Sequence, residues 1–408
     1  MASSHFSLQS LIRPNIASLK PYRCARDDYD QGVLLDANEN SLGTTSSAVT
    51  HENGLDLDSL SLHRYPSPLH IPIKQNLCNY RNQFAPSLPL LSPSNVFLGV
   101  GSDEVLDLLF RITCKPGDTE DQGDRVIVTP PTYGMYTVCA RVNDVGVIPV
   151  PLNVTAGAFT PHYEMIIQAI ENSPPTRPVK LVILCSPGNP TGTTISLVFL
   201  QTFLSDSRYK GLVVVDEAYI DFAGQDQSAL QLLREGYQNL VVVQTLSKGF
   251  GLAGIRLGIA YGSEELIQVL NNTKAPYTIS SPTASLAYVA TLPQALNQTH
   301  TNLSQIRSNR DWLAAELQKI TDMGQILGKT EANFILIQVL ASSGGGPDSA
   351  RAKKVYQHMA GLQKEEAIVV RFRGEEFGCE GCLRITVGTE EECKKVIERL
   401  RTTLAIIP

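Results

Sequence analysis

Lys248 stands where an apolar run ends and a glycine-rich turn begins. Leu240-Val241-Val242-Val243-Gln244 has the composition of a strand buried on both faces. Thr245-Leu246-Ser247-Lys248 closes it, Gly249-Phe250-Gly251-Leu252-Ala253-Gly254 follows, and then comes Arg256. Strand ends that feed such turns are where open α/β sheets bind ligands. An amine held there sheds its proton more easily as it is desolvated, and becomes a nucleophile toward a carbonyl. The ordinary alternative is a solvated surface lysine. Asp216 closes a second apolar run, Leu212 to Val215, with Tyr219 three residues on. A carboxylate at the end of such a strand costs on the order of several kcal/mol unless it is paired, so it is expected to meet a cation. Asn189 lies in the proline- and glycine-stiffened loop Ser186-Pro187-Gly188-Asn189-Pro190-Thr191-Gly192 after the run from Lys180 to Cys185. Its amide can both donate and accept. Gly101-Ser102-Asp103 opens a helical pattern, with Ser102 read as the N-cap, and a helix opening of this kind offers backbone N–H groups to an anion. Tyr133 follows a run at Arg125 to Val128 and is suited either to lie on a flat ring or to sit at a rim.

The elements that must carry these residues alternate. Strands near 96, 126, 181, 213 and 241 each end in a polar cluster, and helical stretches lie between most of them. That is the pattern of an α/β fold with a mostly parallel sheet sandwiched by helices. Beyond about residue 295 the pattern changes to a helix at 305–320 and shorter strands at 334–339, 367–372 and 382–387, which read as a smaller α+β domain. The chain accordingly divides into an N-terminal arm with part of the small domain (1–75), a large ligand-binding domain (76–294) and a small C-terminal domain (295–408).

A nucleophilic lysine, a buried carboxylate, an amide, an arginine, tyrosines and a helix opening together suit one flat, phosphorylated, cationic heteroaromatic aldehyde, pyridoxal 5'-phosphate. Lys248 would take the aldehyde and Asp216 would keep the ring nitrogen protonated. Tyr219 and Asn189 would hydrogen-bond the ring oxygen. Ser247, Arg256 and the Gly101-Ser102-Asp103 turn would hold the phosphate. A competing reading is that Gly249-x-Gly251-x-x-Gly254 is a dinucleotide fingerprint and the protein an NAD-binding oxidoreductase. It fails on context, because Glu264 and Glu265 follow too soon for the crossover helix such a fingerprint needs.

Several motifs resemble the fold-type I aminotransferases: Ser186 to Gly192, Asp216-Glu217-Ala218-Tyr219, Thr245-Leu246-Ser247-Lys248 and Arg256. Others are similar, more narrowly, to the histidinol-phosphate aminotransferases: Lys20-Pro21-Tyr22, Asp36 to Asn40, Arg64-Tyr65-Pro66, Pro130 to Tyr136, Arg371 and Cys382 to Gly388. The resemblance runs from about residue 10 to the C-terminus. It implies transamination of imidazole-acetol phosphate with glutamate, giving histidinol phosphate and 2-oxoglutarate, in histidine biosynthesis. It implies a homodimer in which Tyr65 reaches the cofactor phosphate of the neighbouring subunit and Tyr133 stacks on the ring. Arg384, with Arg371, Tyr22 and Asn40, would bind the substrate. Gly188 stands where many relatives have asparagine, and the loops at 41–62 and 342–347 are longer than in compact members. Other chemistry on the same cofactor remains open from sequence, such as decarboxylation of a phosphorylated amino acid, as does a non-enzymatic binding protein on this fold.

Composition limits the remaining possibilities. The 408 residues are 43% hydrophobic and 18% charged, with a net charge of −6 and no basic block, which argues against nucleic acid as the main partner. No apolar run approaches the ~20 residues of a membrane span. Eight scattered cysteines suit reduced thiols, and Cys379-Glu380-Gly381-Cys382 lacks the further ligands a structural metal needs. No metal is therefore expected. Met1 to Arg26 has no acidic residue, as in a mitochondrial transit peptide. Pro14 and Pro21 interrupt any long amphipathic helix there, so a native first segment of a cytoplasmic protein is expected.

Overall fold

The computed structural model describes residues 5–20, 60–118, 122–342, 344–362 and 366–407. Two short helices, α1 (Leu8–Leu11) and α2 (Pro14–Ala17), precede α3 (Ile71–Asn82). Then follow β1 (Val96–Val100), α4 (Gly101–Thr113), β2 (Arg125–Val128), α5 (Met135–Val142), β3 (Gly146–Pro149), α6 (Tyr163–Glu171), β4 (Val179–Cys185), α7 (Leu197–Ser205) and β5 (Leu212–Asp216). Next are α8 (Leu230–Arg234), β6 (Leu240–Thr245), β7 (Leu257–Tyr261), α9 (Glu264–Thr273), α10 (Ser281–Ala290) and α11 (Pro293–Leu317). The chain ends with β8 (Met323–Leu327), β9 (Phe334–Val339), α12 (Ser349–Gly361), β10 (Arg371–Phe372), β11 (Cys382–Thr386) and α13 (Glu390–Ile406). No described helix is long and apolar enough to cross a membrane.

Seven strands form one sheet in the order β1-β7-β6-β5-β4-β2-β3. All run the same way except β7, which is antiparallel to both neighbours. The sheet is buried on both sides because its residues alternate between two cores. Val213, Val215, Leu240 and Val242 enter one core, and Leu212, Val214, Val241 and Val243 enter the other. Each such side chain contributes roughly 1.5–3 kcal/mol on burial, enough to fix the register at these central strands.

The second sheet has four antiparallel strands in the order β10-β11-β9-β8. Its Ile335, Ile337, Leu383 and Ile385 pack with α11, α12 and α13 residues such as Leu317, Val355 and Leu400. On the opposite face Leu336 and Cys382 pack with Leu152 and Phe159, which come from the segment after β3. The arginine-bearing face of the small sheet is thus turned toward the large one.

Four features differ from the sequence reading. The helix after β1 starts at Gly101, with Val100 as N-cap, so Ser102 lies inside the first turn. Gly101 has φ +73°, which places the turn one residue earlier; no side chain caps the first-turn N–H groups, and the Glu104 carboxylate accepts from the N–H of the cap residue Val100. The reversed strand β7 follows from Arg256 at φ +54°, which turns the chain back immediately after the glycine-rich loop. The strand expected at 367–372 pairs only at Arg371 and Phe372, because the backbone ahead of them turns to α12, where the Ile368 N–H donates to the Met359 carbonyl at 3.0 Å. Helix α11 begins at Pro293, twelve residues ahead of the expected start, since a polar exposed face carries no apolar period and Pro suits the first turn.

Candidate active site

The polar residues gather at one rim of the large sheet. Asp216 is the last residue of β5 and sits beside Val243 of β6, so the ends of these parallel strands lie side by side. Lys248 follows β6 by three residues. Because β7 runs backward, Arg256 at its start reaches the same rim, and the Gly101 N–H donates to the Arg256 carbonyl at 3.0 Å. The turn is locked by Thr245: its hydroxyl donates to the Leu257 carbonyl at 3.0 Å and accepts from the Ser247 N–H at 3.1 Å.

The Lys248 side chain is open to the cleft, and its Nζ lies 5.7 Å from the centre of the Tyr219 ring. Surrounding protein, and then Arg384 and Arg256, hold its amine below the ordinary lysine range, against the pull of Asp103. Tyr219 is buried and packs edge-on against Phe334 at 5.1 Å, while the Arg384 guanidinium lies 5.2 Å over that same ring. Burial raises the Tyr219 hydroxyl pKa, with Arg384 opposing.

Asp216 is 3% exposed. Its carboxylate accepts from the Tyr136 hydroxyl at 2.7 Å and from the Ala218 N–H at 3.1 Å. Burial pushes its pKa up to about 6 despite both donors. The cation expected from sequence is not a protein side chain: among the described residues no Lys, Arg or His pairs with Asp216. A buried carboxylate left in this state is stabilised by a cationic ligand, which is what a pyridinium nitrogen would provide. Tyr136 was part of a motif read from sequence, but its role was missed, since nothing in a run of tyrosines tells which one reaches a residue eighty positions away.

Arg256 lies 3.8 Å from Asp103, beside the opening of α4. A Cβ on Gly101 would stand 2.6 Å from Arg256 Nη2, so glycine leaves the space in which the guanidinium meets the helix opening. This cradle of N–H groups and guanidinium fits a phosphate. Tyr133 donates to Asp103 at 3.3 Å and meets Tyr136 edge-on at 5.6 Å. Burial, then Asp103, raises its pKa to about 12. Asn189 is buried, and its Oδ1 accepts from Arg384 Nη1, which joins the large sheet's loop to the small sheet. Arg371 lies opposite Arg384 in the β10–β11 register. Tyr65 is 54% exposed and stacks on Tyr277 at 4.7 Å, on the outer surface. Tyr22 and Asn40 lie outside the described residues. The arrangement brings a depressed amine, a buried carboxylate with no cationic partner among the described residues and a phosphate cradle to one rim, facing arginines from a second sheet.

Residues 30–400 match the profile of the family "Aminotransferase class I and II". The histidinol-phosphate aminotransferase of Schizosaccharomyces pombe is 45% identical over 401 residues, covering 98% of each chain. That of Saccharomyces cerevisiae is 42% identical, again over 98% of each chain. Among solved structures, the Sinorhizobium meliloti histidinol-phosphate aminotransferase in complex with pyridoxal-5'-phosphate superposes with a TM-score of 0.69 at 18% identity, covering 97% of this chain and 98% of that one. The last likeness speaks for the fold. The rim geometry and the near full-length identity to the yeast proteins lead to one family: the chain belongs to the class I and II aminotransferases and, within them, to the histidinol-phosphate aminotransferases.

Proposed function

We propose that the protein transfers an amino group from glutamate to imidazole-acetol phosphate, giving histidinol phosphate and 2-oxoglutarate in histidine biosynthesis, with pyridoxal 5'-phosphate as cofactor. The observation that carries the reading is Asp216, buried at the rim without a protein cation among the described residues and next to the strand that leads into Lys248. When bound, the cofactor supplies a protonated ring that takes up the electron pair released at the carbon bearing the amine. Lys248 would hold its aldehyde. With the donor in place, the Lys248 amine would take the proton from the donor's α carbon, a task suited to an amine held below the usual lysine pKa. Asp216 keeps the proton on the ring nitrogen, and Tyr136 holds Asp216 in place. Tyr219 and Asn189 would hold the ring oxygen, and Tyr133 would flank the ring. Ser247, Arg256 and the Gly101-Ser102-Asp103 turn hold the phosphate. Arg384 and Arg371, with Tyr22 and Asn40, bind the substrate anion, whether phosphate or the donor's carboxylate.

The working unit in this reading is a homodimer in the cytoplasm, with Tyr65 completing the neighbour's site. Leu69, Ile71, Leu286, Tyr288 and Val289 support it: they are exposed on and beside the adjoining helices α3 and α10. The test is to reduce the purified protein with borohydride, map the modified peptide, and follow the two half-reactions by absorbance. The expected result is a cofactor adduct on Lys248, turnover with glutamate and then imidazole-acetol phosphate, and no turnover in Lys248→Ala. An adduct elsewhere, or carbon dioxide release without amino transfer, refutes the proposal.

A further inference from the structure

The small sheet carries a third arginine beside the two already described. Arg371 stands opposite Arg384, and the Arg373 N–H donates to the Cys382 carbonyl at 2.9 Å, which continues the same antiparallel pairing. Side chains on alternate residues share a face, so Arg371, Arg373 and Arg384 are all on the face turned toward the large sheet. Arg384 registers its neighbours: burial, Arg373 and Arg371 lower its pKa, and Tyr219 and Glu376 oppose them. Glu376 is also the ion-pair partner of Arg373, through Arg373 Nη1, at side-chain exposures of 19% for the arginine and 29% for the glutamate. The Nε atoms of Arg373 and Arg384 are both buried and have no hydrogen-bond partner among the described residues. Arg373 and Glu376 also line a cavity of about 790 Å³ together with Thr132, Tyr133 and Gly134. Arg373 therefore neighbours Arg384 and shares a cavity with Tyr133, the aromatic at the cofactor rim.

Three guanidinium groups against one carboxylate leave an excess of two positive charges. A phosphate monoester carries nearly two negative charges at neutral pH, and a carboxylate carries one. The proposed reaction needs one site to accept both in turn. We propose that Arg373 is a specificity-determining residue: it binds the substrate's phosphate, and Glu376 holds it when the carboxylate of the amino donor occupies the site. The inference rests on the reaction proposed above.

The experiment compares Arg373→Gln, Arg373→Lys and Glu376→Gln with the wild type in the two half-reactions, and adds inorganic phosphate as a competitive inhibitor of each. In Arg373→Gln the half-saturating histidinol phosphate concentration rises about ten- to a hundred-fold, the worth of one charge-assisted hydrogen bond, while that of glutamate moves by less than about threefold. Inhibition by inorganic phosphate weakens in parallel. Arg373→Lys recovers part of the loss, and Glu376→Gln tightens phosphate. Equal loss for both substrates would show a structural role only, and no change for either would remove Arg373 from the site. Both results overturn the inference. A wild type that reacts with glutamate but not with histidinol phosphate overturns the substrate reading itself. The two failures are therefore told apart by the wild-type control.

Discussion

Replacing Tyr136 with Phe tests the account of Asp216 most directly. The Tyr136 hydroxyl is buried and donates to Asp216 Oδ2 at 2.7 Å. A hydrogen bond to a buried charged group is worth about 1.5–3 kcal/mol and one to a neutral group about 1 kcal/mol, so its loss raises the carboxyl pKa from about 6 by the difference, to roughly 6.5–7.5. The sign follows from the direction. Asp216 has a folded-state pKa above its unfolded one, so its contribution to stability is fully present below pH ~4 and is lost as the pH rises through the folded pKa. In the cofactor-free wild type that loss is complete by about pH 7. In Tyr136→Phe it continues to about pH 8 and is larger by roughly 0.5–2 kcal/mol. Urea unfolding of both cofactor-free proteins at pH 5 and pH 9 measures it. Glu217, pushed up to about 7 by burial, titrates in both proteins and cancels in the comparison. At pH 5 the variant should differ by only about 1 kcal/mol, the cost of a lost neutral hydrogen bond, and at pH 9 by the full amount. Loading with pyridoxal phosphate should shrink the difference at pH 9, because the ring cation offsets the carboxylate. An equal destabilisation at both pH values would mean that Tyr136 serves only as packing, and the electrostatic account of this site would be wrong.

Other substitutions probe separate parts of the rim. Gly101→Ala puts a methyl group 2.6 Å from Arg256 Nη2 at φ +73°. It should weaken binding of pyridoxal phosphate by about tenfold or more in an equilibrium titration, since a left-handed alanine alone costs roughly 1–2 kcal/mol. Arg384→Lys keeps the charge but loses the planar fork that reaches Asn189, and should raise KM for both substrates by roughly ten- to a hundred-fold. Arg81 and Asp221 form an ion pair at 2.9 Å with both side chains 3% exposed. Arg81→Ala should cost about 3–5 kcal/mol in urea unfolding, because it removes the guanidinium that pairs with a buried carboxylate.

The strands ending at Asp216 and Thr245 were legible because a strand buried on both faces is apolar along nearly its whole length, so the first polar residues, Asp216 in one and Gln244-Thr245 in the other, mark where it ends. Lys248, Asn189 and Arg256 could be grouped for the same reason. The direction of β7 was not legible, since five apolar residues read alike either way and the turn at Arg256 depends on a backbone angle. Neither was the Tyr136–Asp216 bond, nor Arg384 reaching Asn189, because both link segments far apart in the chain through single side-chain atoms. The start of α11 was hidden by its polar sequence, and that of α4 by the left-handed turn at Gly101, which depends on a backbone angle.

The backward run of β7 has a mechanical consequence. Lys248 and Arg256 belong to one short loop pinned at both ends to adjacent strands of a rigid seven-stranded platform, and Asp216 is fixed to the next strand of it. Arg371 and Arg384 ride on a separate four-stranded platform. Any rocking between the two platforms alters how firmly a substrate is gripped, yet leaves the spacing of amine, carboxylate and guanidinium around the cofactor unchanged.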